Sequence, residues 1–387
     1  MKRSSERFLT THVGSMIRPE KVRDYTRLLS DGQPIDRQDY EATLRAEVAK
    51  VVAKQAECGI DVVSDGEFGK SGWTGYLLGR ISGFETRQVP RPKVGFRGRE
   101  AEGRFRDFYQ QTASPLTSGP TVRQNVCVGP ISYSDAGRAQ MQRDVDNFKA
   151  ALQNVSVQEA FLPVVAPCSL STNYANEYYK SEEEFLFAVA DALHEEYKII
   201  TDAGLIVQTD DAILANFHDM IVDSGRDFRA WVDMNLAALN HALKGIPEDR
   251  VRYHLCWGSW PGPHTSDFPL AEIVDLMLKI NCQAYAIEAS NPRHEWEWVV
   301  WEKTKLPVGK ILMPGMISHA IAHVEHPELV AQRFERYARL VGRENVIGSS
   351  DCGFAQGAGI ARQNQEIVWA KLESLAGGAR IASSRMR

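Results

Sequence analysis

The chain reads as a closed (β/α)8 barrel, a TIM barrel, with one long insertion after its second βα unit. Short apolar strand-like runs alternate with helix-patterned stretches from one end of the sequence to the other, and eight such runs can be counted. That alternation is the signature of a parallel sheet. An open doubly wound sheet would share it, but eight units in one unbroken pattern favour closure. In addition, polar residues able to do chemistry stand where the runs finish, the end at which barrels of this class build their sites.

The first run, Phe8 to Val13, stops at Gly14-Ser15, with Pro19 beyond. Residues 39–58 mix charged and apolar positions at helical spacing, and Cys58-Gly59 closes them with a helix-stop glycine. Ile60 to Ser64 is the second strand and runs into Asp65-Gly66-Glu67. A stretch rich in Gly, Pro and Arg follows, roughly residues 84–135, with a further strand at Asn125 to Gly129. It reads as an inserted hairpin or lid, so residues 1–387 are taken as one barrel domain. Ala160 to Val165, Leu205 to Thr209, Val251 to Leu255 and Ala284 to Ile287 are the next four strands. Val308 to Met313, just before Gly315, and Val346 to Ser349 complete the set. Glu182 to Ala203, Leu270 to Lys279 and Pro327 to Val341 are the clearest intervening helices.

Composition narrows the function. The 387 residues carry 45 Lys and Arg against 50 Asp and Glu. A net charge of −5 with no basic run gives no electrostatic basis for binding nucleic acid. No apolar run approaches the ~20 residues of a membrane span. The six cysteines are scattered and form no CxxC pair, as expected of reduced thiols in a cytoplasmic protein. A cytoplasmic enzyme acting on small molecules, as a monomer or a homo-oligomer, is the expectation. Gly66-Glu67-Phe68-Gly69-Lys70-Ser71 is two residues short of a phosphate loop. Gly353 to Gly359 reads as a tight turn before the last helix.

His254-Leu255-Cys256 is the sharpest local signal. Side chains at i and i+2 of a strand point to the same side, so this imidazole and this thiol can reach one ion. Alone, such a pair is usually coincidence. Glu288 ends the next strand, however, and Cys352 ends the strand two units later. One nitrogen, two sulfurs and one oxygen around an ion suit Zn²⁺ better than a hard cation. Of Asp210-Asp211, adjacent on a strand, at most one can point into the same mouth.

Thr11-His12-Val13-Gly14-Ser15, Ile60 to Glu67, Gln208 to Asp211, His254 to Cys256 and Asp351-Cys352-Gly353 occur in that order. Together they resemble the C-terminal catalytic barrel of cobalamin-independent methionine synthase, over about residues 8 to 376. The likeness extends to a branch of shorter homologues through Cys256-Trp257-Gly258, Gly262-Pro263-His264, Asn291 to Glu295 and Val324 to Glu328. The resemblance implies a zinc ion held by His254, Cys256, Glu288 and Cys352. It implies substrate contacts at Ser15, Glu67 and Asp210, with His12 in the same motif, and a catalytic histidine after the seventh strand, at His319 or with Ser318 in its place. The activity implied is transfer of a methyl or alkyl group from a small-molecule donor to a thiol such as homocysteine, which zinc activates as thiolate.

Two alternatives stand beside it: zinc-dependent addition of a thiol to an epoxide or related electrophile, as in the related epoxyalkane:coenzyme M transferase, and a zinc-stabilised barrel that only binds. Ser15, Glu67 and Asp210 favour an amino-acid thiol over a sulfonate thiol, which would call for basic residues near the pocket. The sequence departs from the synthases at Ala166 to Tyr174, where no Trp stands to stack on a folate pterin, and at Phe68-Gly69-Lys70.

Overall fold

A computed structural model describes residues 1–90, 103–112, 121–260, 262–355, 357 and 363–386. Eight parallel strands form the barrel: β1 (Leu9–Thr10), β2 (Val62–Val63), β5 (Glu159–Val165), β7 (Ile206–Asp211), β8 (Val251–Leu255), β9 (Ala284–Ile287), β10 (Ile311–Ile317) and β11 (Ile347–Ser350). Their order around the sheet is β1-β11-β10-β9-β8-β7-β5-β2. The short strands β1 and β2 meet across the remaining seam, where Asp61 N donates to Thr10 O at 3.1 Å and Thr11 Oγ1 to Val62 O at 2.9 Å. The fold is therefore the (β/α)8 barrel that the alternation implied.

Period-2 alternation sorts the strand residues into two environments. One set packs outward against the helices in the main apolar core. The other faces the barrel axis, where Val62, Phe161 and Ile206 form one small cluster and Leu9, Ala284, Ala286, Ile311, Met313 and Ile347 another, with Met1 packed against both. Above this floor Arg252 lies buried along the axis. Its guanidinium stacks 4.0 Å from the Phe161 ring and donates to Thr11 Oγ1 at 2.9 Å and His12 O at 3.0 Å. Burial lowers its pKa to about 9.

The helix expected over 39–58 spans Arg37–Glu57, with Asp36 Oδ1 accepting from Asp39 N at its N-cap. Leu270 to Lys279 is not one helix but a 3-10 turn, Leu270–Glu272, and a short α-helix, Val274–Met277. The seventh barrel strand also differs. Val308 is fully exposed in the turn before it, and β10 begins at Ile311 and runs through Pro314-Gly315 to Ile317. The Pro-Gly pair reads as a strand stop, but here glycine serves a close approach instead. A Cβ at Gly315 would lie 1.9 Å from Asp351 Oδ1.

Within the insertion, β3 (Phe84–Pro90) and β4 (Thr121–Cys127) pair antiparallel, and β6 (Ala175–Asn176) joins β4 in parallel. The inserted strand thus starts and ends a few residues earlier than Asn125 to Gly129. The helix Arg106–Thr112 brings Tyr109 onto the loop after β8, where Trp260 Nε1 donates to its hydroxyl at 3.0 Å. Other parts of the 84–135 segment, and Gly359, fall outside the described residues. Among the described residues no helix is long and apolar enough to cross a membrane.

Candidate active site and metal centre

Three strands deliver their chemistry through the same alternation. Ile206, Gln208 and Asp210 on β7 share one face, as do Arg252, His254 and Cys256 at β8, and Ala284, Ala286 and Glu288 at β9. Asp210 is level with His254, and His254 with Ala286, in the strand register. The axis side therefore climbs from an apolar floor, through Arg252, to a polar mouth at the C-terminal strand ends.

His254, Cys256 and Cys352 come together there, each offering a ligand atom within 4.8 Å of the other two, and all three are buried. His254 Nδ1 donates to Ala286 O at 3.3 Å, which leaves Nε2 as the lone-pair nitrogen, and that atom has no protein partner. The two sulfurs are 3.5 Å apart. Gly258 N and Ser259 Oγ each donate at 3.3 Å, to Cys256 and Cys352 respectively. The contact between the two sulfurs, with His254 and His319 close by, draws Cys352 well down, while that same contact and burial push Cys256 up. A buried imidazole nitrogen facing two cysteine sulfurs is a donor set that fits a zinc-like ion.

Glu288 falls in a second group, with His319 and Asp351. Its Oε1 accepts from Trp257 N at 3.1 Å, and its Oε2 from Asn291 Nδ2 at 2.8 Å and Arg293 NH2 at 2.5 Å. Asp351 is tied to the backbone: Oδ1 accepts from Ala289 N and Ser290 N, both at 2.8 Å, and Oδ2 from Asn291 Nδ2 at 2.9 Å. His319 is buried, and neither ring nitrogen has a protein partner. An unpaired imidazole in such a place has a proton-handling capacity that the protein itself does not use.

The residues expected to meet substrate lie on the neighbouring rim. Asp210 is half-buried. Burial, opposed by His254 and reinforced by Glu67, raises its pKa, and Gln208 Nε2 donates to it at 2.7 Å. Asp211 points the other way and ties down Ile213 N, Leu214 N and the Tyr253 hydroxyl. Glu67 is held at φ +60, a conformation rare outside glycine, with Asp65 Oδ1 accepting its N–H at 2.9 Å. Ser15 accepts from Ala355 N, and a Cβ at Gly353 would lie 2.0 Å from its Oγ, so the loop after β1 and the loop after Cys352 interlock.

His12, expected beside the substrate, is engaged by its own chain. Its Nδ1 accepts from Gly14 N at 3.1 Å and its Nε2 donates to Gln55 Oε1 at 2.7 Å, so neither nitrogen is left for a ligand. Complete burial lowers its pKa to about 4 and keeps it neutral. It shapes the loop that carries Ser15.

Two cations beside the site were not read from the sequence as part of it. The Arg18 guanidinium is buried and donates to Glu67 O and Ala355 O. Lys70, also buried, sets its ammonium 3.6 Å from Glu67 Oε2 and 4.7 Å from the Tyr76 ring centroid, and donates to Pro163 O. Basic residues are therefore present beside the pocket after all. Cys168, at the end of β5, contacts Asp211, on the side away from the mouth.

The family described as "Cobalamin-independent synthase, Catalytic domain" matches residues 8–90. A methionine synthase of Thermococcus kodakarensis is 22% identical over 375 residues, covering 96% of this chain and 92% of that protein. An uncharacterised protein of Bacillus subtilis, YxjH, is 23% identical over 377 residues, covering 94% and 92%. Among solved structures, a B12-independent methionine synthase from Shewanella sp. W3-18-1, in complex with selenomethionine, superposes with a TM-score of 0.72 at 20% identity. That superposition covers 98% of this chain and 99% of that one.

Proposed function

We propose that this chain is a member of the cobalamin-independent methionine synthase family, a reading supported by the match over residues 8–90 and by the likeness to curated methionine synthases, and that it transfers a methyl or related alkyl group to the thiol of homocysteine or a close analogue. His254, Cys256 and Cys352 would hold a zinc ion, with Glu288 as an exchangeable fourth ligand. The observation that carries this reading is the convergence of those three side chains, with their unpartnered nitrogen, on the mouth that also holds Glu67 and Asp210.

Zinc bound there would supply the charge that keeps a substrate thiol, of pKa ~8.5 when free, as the nucleophilic thiolate at neutral pH. The protein's own residues do the rest. Glu67 and Asp210 offer carboxyl groups to an α-ammonium, and Ser15 lies beside them in the loop locked against Gly353. His319, with both nitrogens unpaired, is the group placed to take the thiol proton or to protonate the departing donor. The donor, folate or another, is left unassigned by these residues.

The test is the metal content of purified wild type beside Cys256→Ser and Cys352→Ser, followed by a homocysteine titration watched by zinc X-ray absorption. About one zinc per chain, lost in both variants and gaining a sulfur neighbour with homocysteine, supports the proposal. Zinc that is blind to homocysteine overturns the thiol assignment, and absence of zinc overturns the metal assignment.

Lys70 favours a second reading, in which the acceptor is an anionic thiol without an ammonium group and adds to an epoxide-like electrophile. Its ammonium already sits against Glu67, where a substrate ammonium would otherwise bind.

A further inference from the structure

Arg293 stands between Glu288 and a buried relay that the proposed reaction does not use. On one side NH2 donates to Glu288 Oε2 at 2.5 Å. On the other, NH1 donates to Asp267 Oδ2 at 3.0 Å, while His264 Nδ1 lies 2.9 Å from Asp267 Oδ1 and His294 Nε2 donates to Oδ2 at 3.2 Å. His294 Nδ1 in turn donates to Glu297 Oε2 at 2.7 Å. Side-chain exposure is 14% for Arg293, 11% for Asp267 and 3% for each histidine. The guanidinium is thus anchored from behind.

Such an anchored cation changes what Glu288 can do. A carboxylate meant only to ligate a metal gains from neutral donors that aim it while leaving its charge free. Here both oxygens are taken up, one by the Trp257 N–H and the other by Asn291 and a full positive charge. Glu288 accordingly groups with His319 and Asp351, and not with His254, Cys256 and Cys352.

We propose that Arg293 is a positioning residue that gives the Glu288 carboxylate a second resting place beside the metal-binding group, so that Glu288 yields the fourth ligand position to an incoming thiol. The inference rests on the zinc–thiol reading above and adds to it the residue that makes the exchange easy.

Metal affinity measured by chelator competition tests it, on wild type, Arg293→Gln, Arg293→Lys, Glu288→Gln and the Arg293→Gln/Glu288→Gln pair, with thermal melts to confirm folding. Freed of its cation, Glu288 should ligate permanently. Arg293→Gln is expected to bind Zn²⁺ about tenfold more tightly, and the double variant should lose that gain. Arg293→Lys, which keeps charge but not the fork, should fall between. In the Co²⁺-loaded proteins, the sulfur-to-metal absorption that homocysteine induces should need about tenfold more thiol in Arg293→Gln than in wild type.

An unchanged or weakened Zn²⁺ affinity in Arg293→Gln, or a gain that survives loss of Glu288, overturns the proposal, because a purely structural role for Arg293 could only loosen the metal. Should Arg293→Gln not fold, Arg293→Lys decides in the same direction, and wild-type affinity there overturns it. If wild-type Co²⁺ protein ignores homocysteine, the thiol reading fails on its own, while the affinity comparison still decides the role of Arg293.

Discussion

Replacing Asp351 with alanine removes the carboxylate that joins the loop after β9, which carries Glu288, to the strand end that carries Cys352. Three donors lose their acceptor: Ala289 N and Ser290 N at 2.8 Å and Asn291 Nδ2 at 2.9 Å. Asn291 keeps its bond to Glu288, so the two backbone N–H groups carry most of the cost. A hydrogen bond to a charged partner contributes about 1.5–3 kcal/mol, and a stranded buried donor costs about 1–3 kcal/mol. We expect Asp351→Ala to lose about 3–5 kcal/mol of stability. Asp351→Asn keeps one oxygen for the backbone pair but turns an amide nitrogen toward Asn291, and should lose about 1–2 kcal/mol. Denaturant unfolding of the metal-free protein measures both. Zn²⁺ affinity by chelator competition should fall at least about tenfold in the alanine variant, although no proposed ligand has been touched. A loss under about 1 kcal/mol, or an asparagine variant as damaged as the alanine one, would refute the argument that the carboxylate orients both loops.

Other consequences can be checked separately. The Asp65 carboxyl is pushed up to about 6 by burial, against about 3.9 in an unfolded chain. A raised folded value gives stability that is full below the unfolded pKa and is lost as pH climbs through the folded one, so from about pH 4 to 6 Asp65 costs the fold up to about 3 kcal/mol. Asp65→Asn keeps the bond to Glu67 N and should remove that slope; identical stability–pH curves for the two proteins would contradict it. Lys70→Met frees Glu67, so KM for homocysteine should fall about three- to tenfold with kcat steady, while a carboxylate thiol without an ammonium should bind less well. Parallel changes for both thiols would mean that Lys70 is structural.

What the sequence displays well is anything that strand alternation controls. Once β7, β8 and β9 are placed, Asp210, His254, Cys256 and Glu288 must follow Gln208, Arg252 and Ala286 to the mouth, and Asp211 must turn away to its own loop. Pro314-Gly315 hides the end of β10 because glycine has two uses, and spacing cannot say whether it marks a turn or makes room for a neighbour. Asp351 has the same ambiguity: in a string it is one acid beside a cysteine, while in space it is the acceptor that fills the room left by Gly315.

The residues whose roles the sequence does not display lie where period carries no information, in loops and at their junctions. Arg18, Lys70 and Arg293 take their roles from partners that spacing does not reveal. Arg18 reaches Ala355 across most of the chain, and Lys70 reaches Pro163. Arg293 is only five positions from Glu288, yet no regular element would set the two side chains together. What does so is the Asn291 side chain, whose Oδ1 accepts from Arg293 N at 3.0 Å while its Nδ2 donates to Glu288 and Asp351. Asn291 thereby turns the chain so that a cation closes on the carboxylate. The candidate ligands are set by the barrel, which a sequence can display. How firmly each ligand is held is set by these loop contacts, and it is there that a thiol-activating site and a permanently closed one would differ.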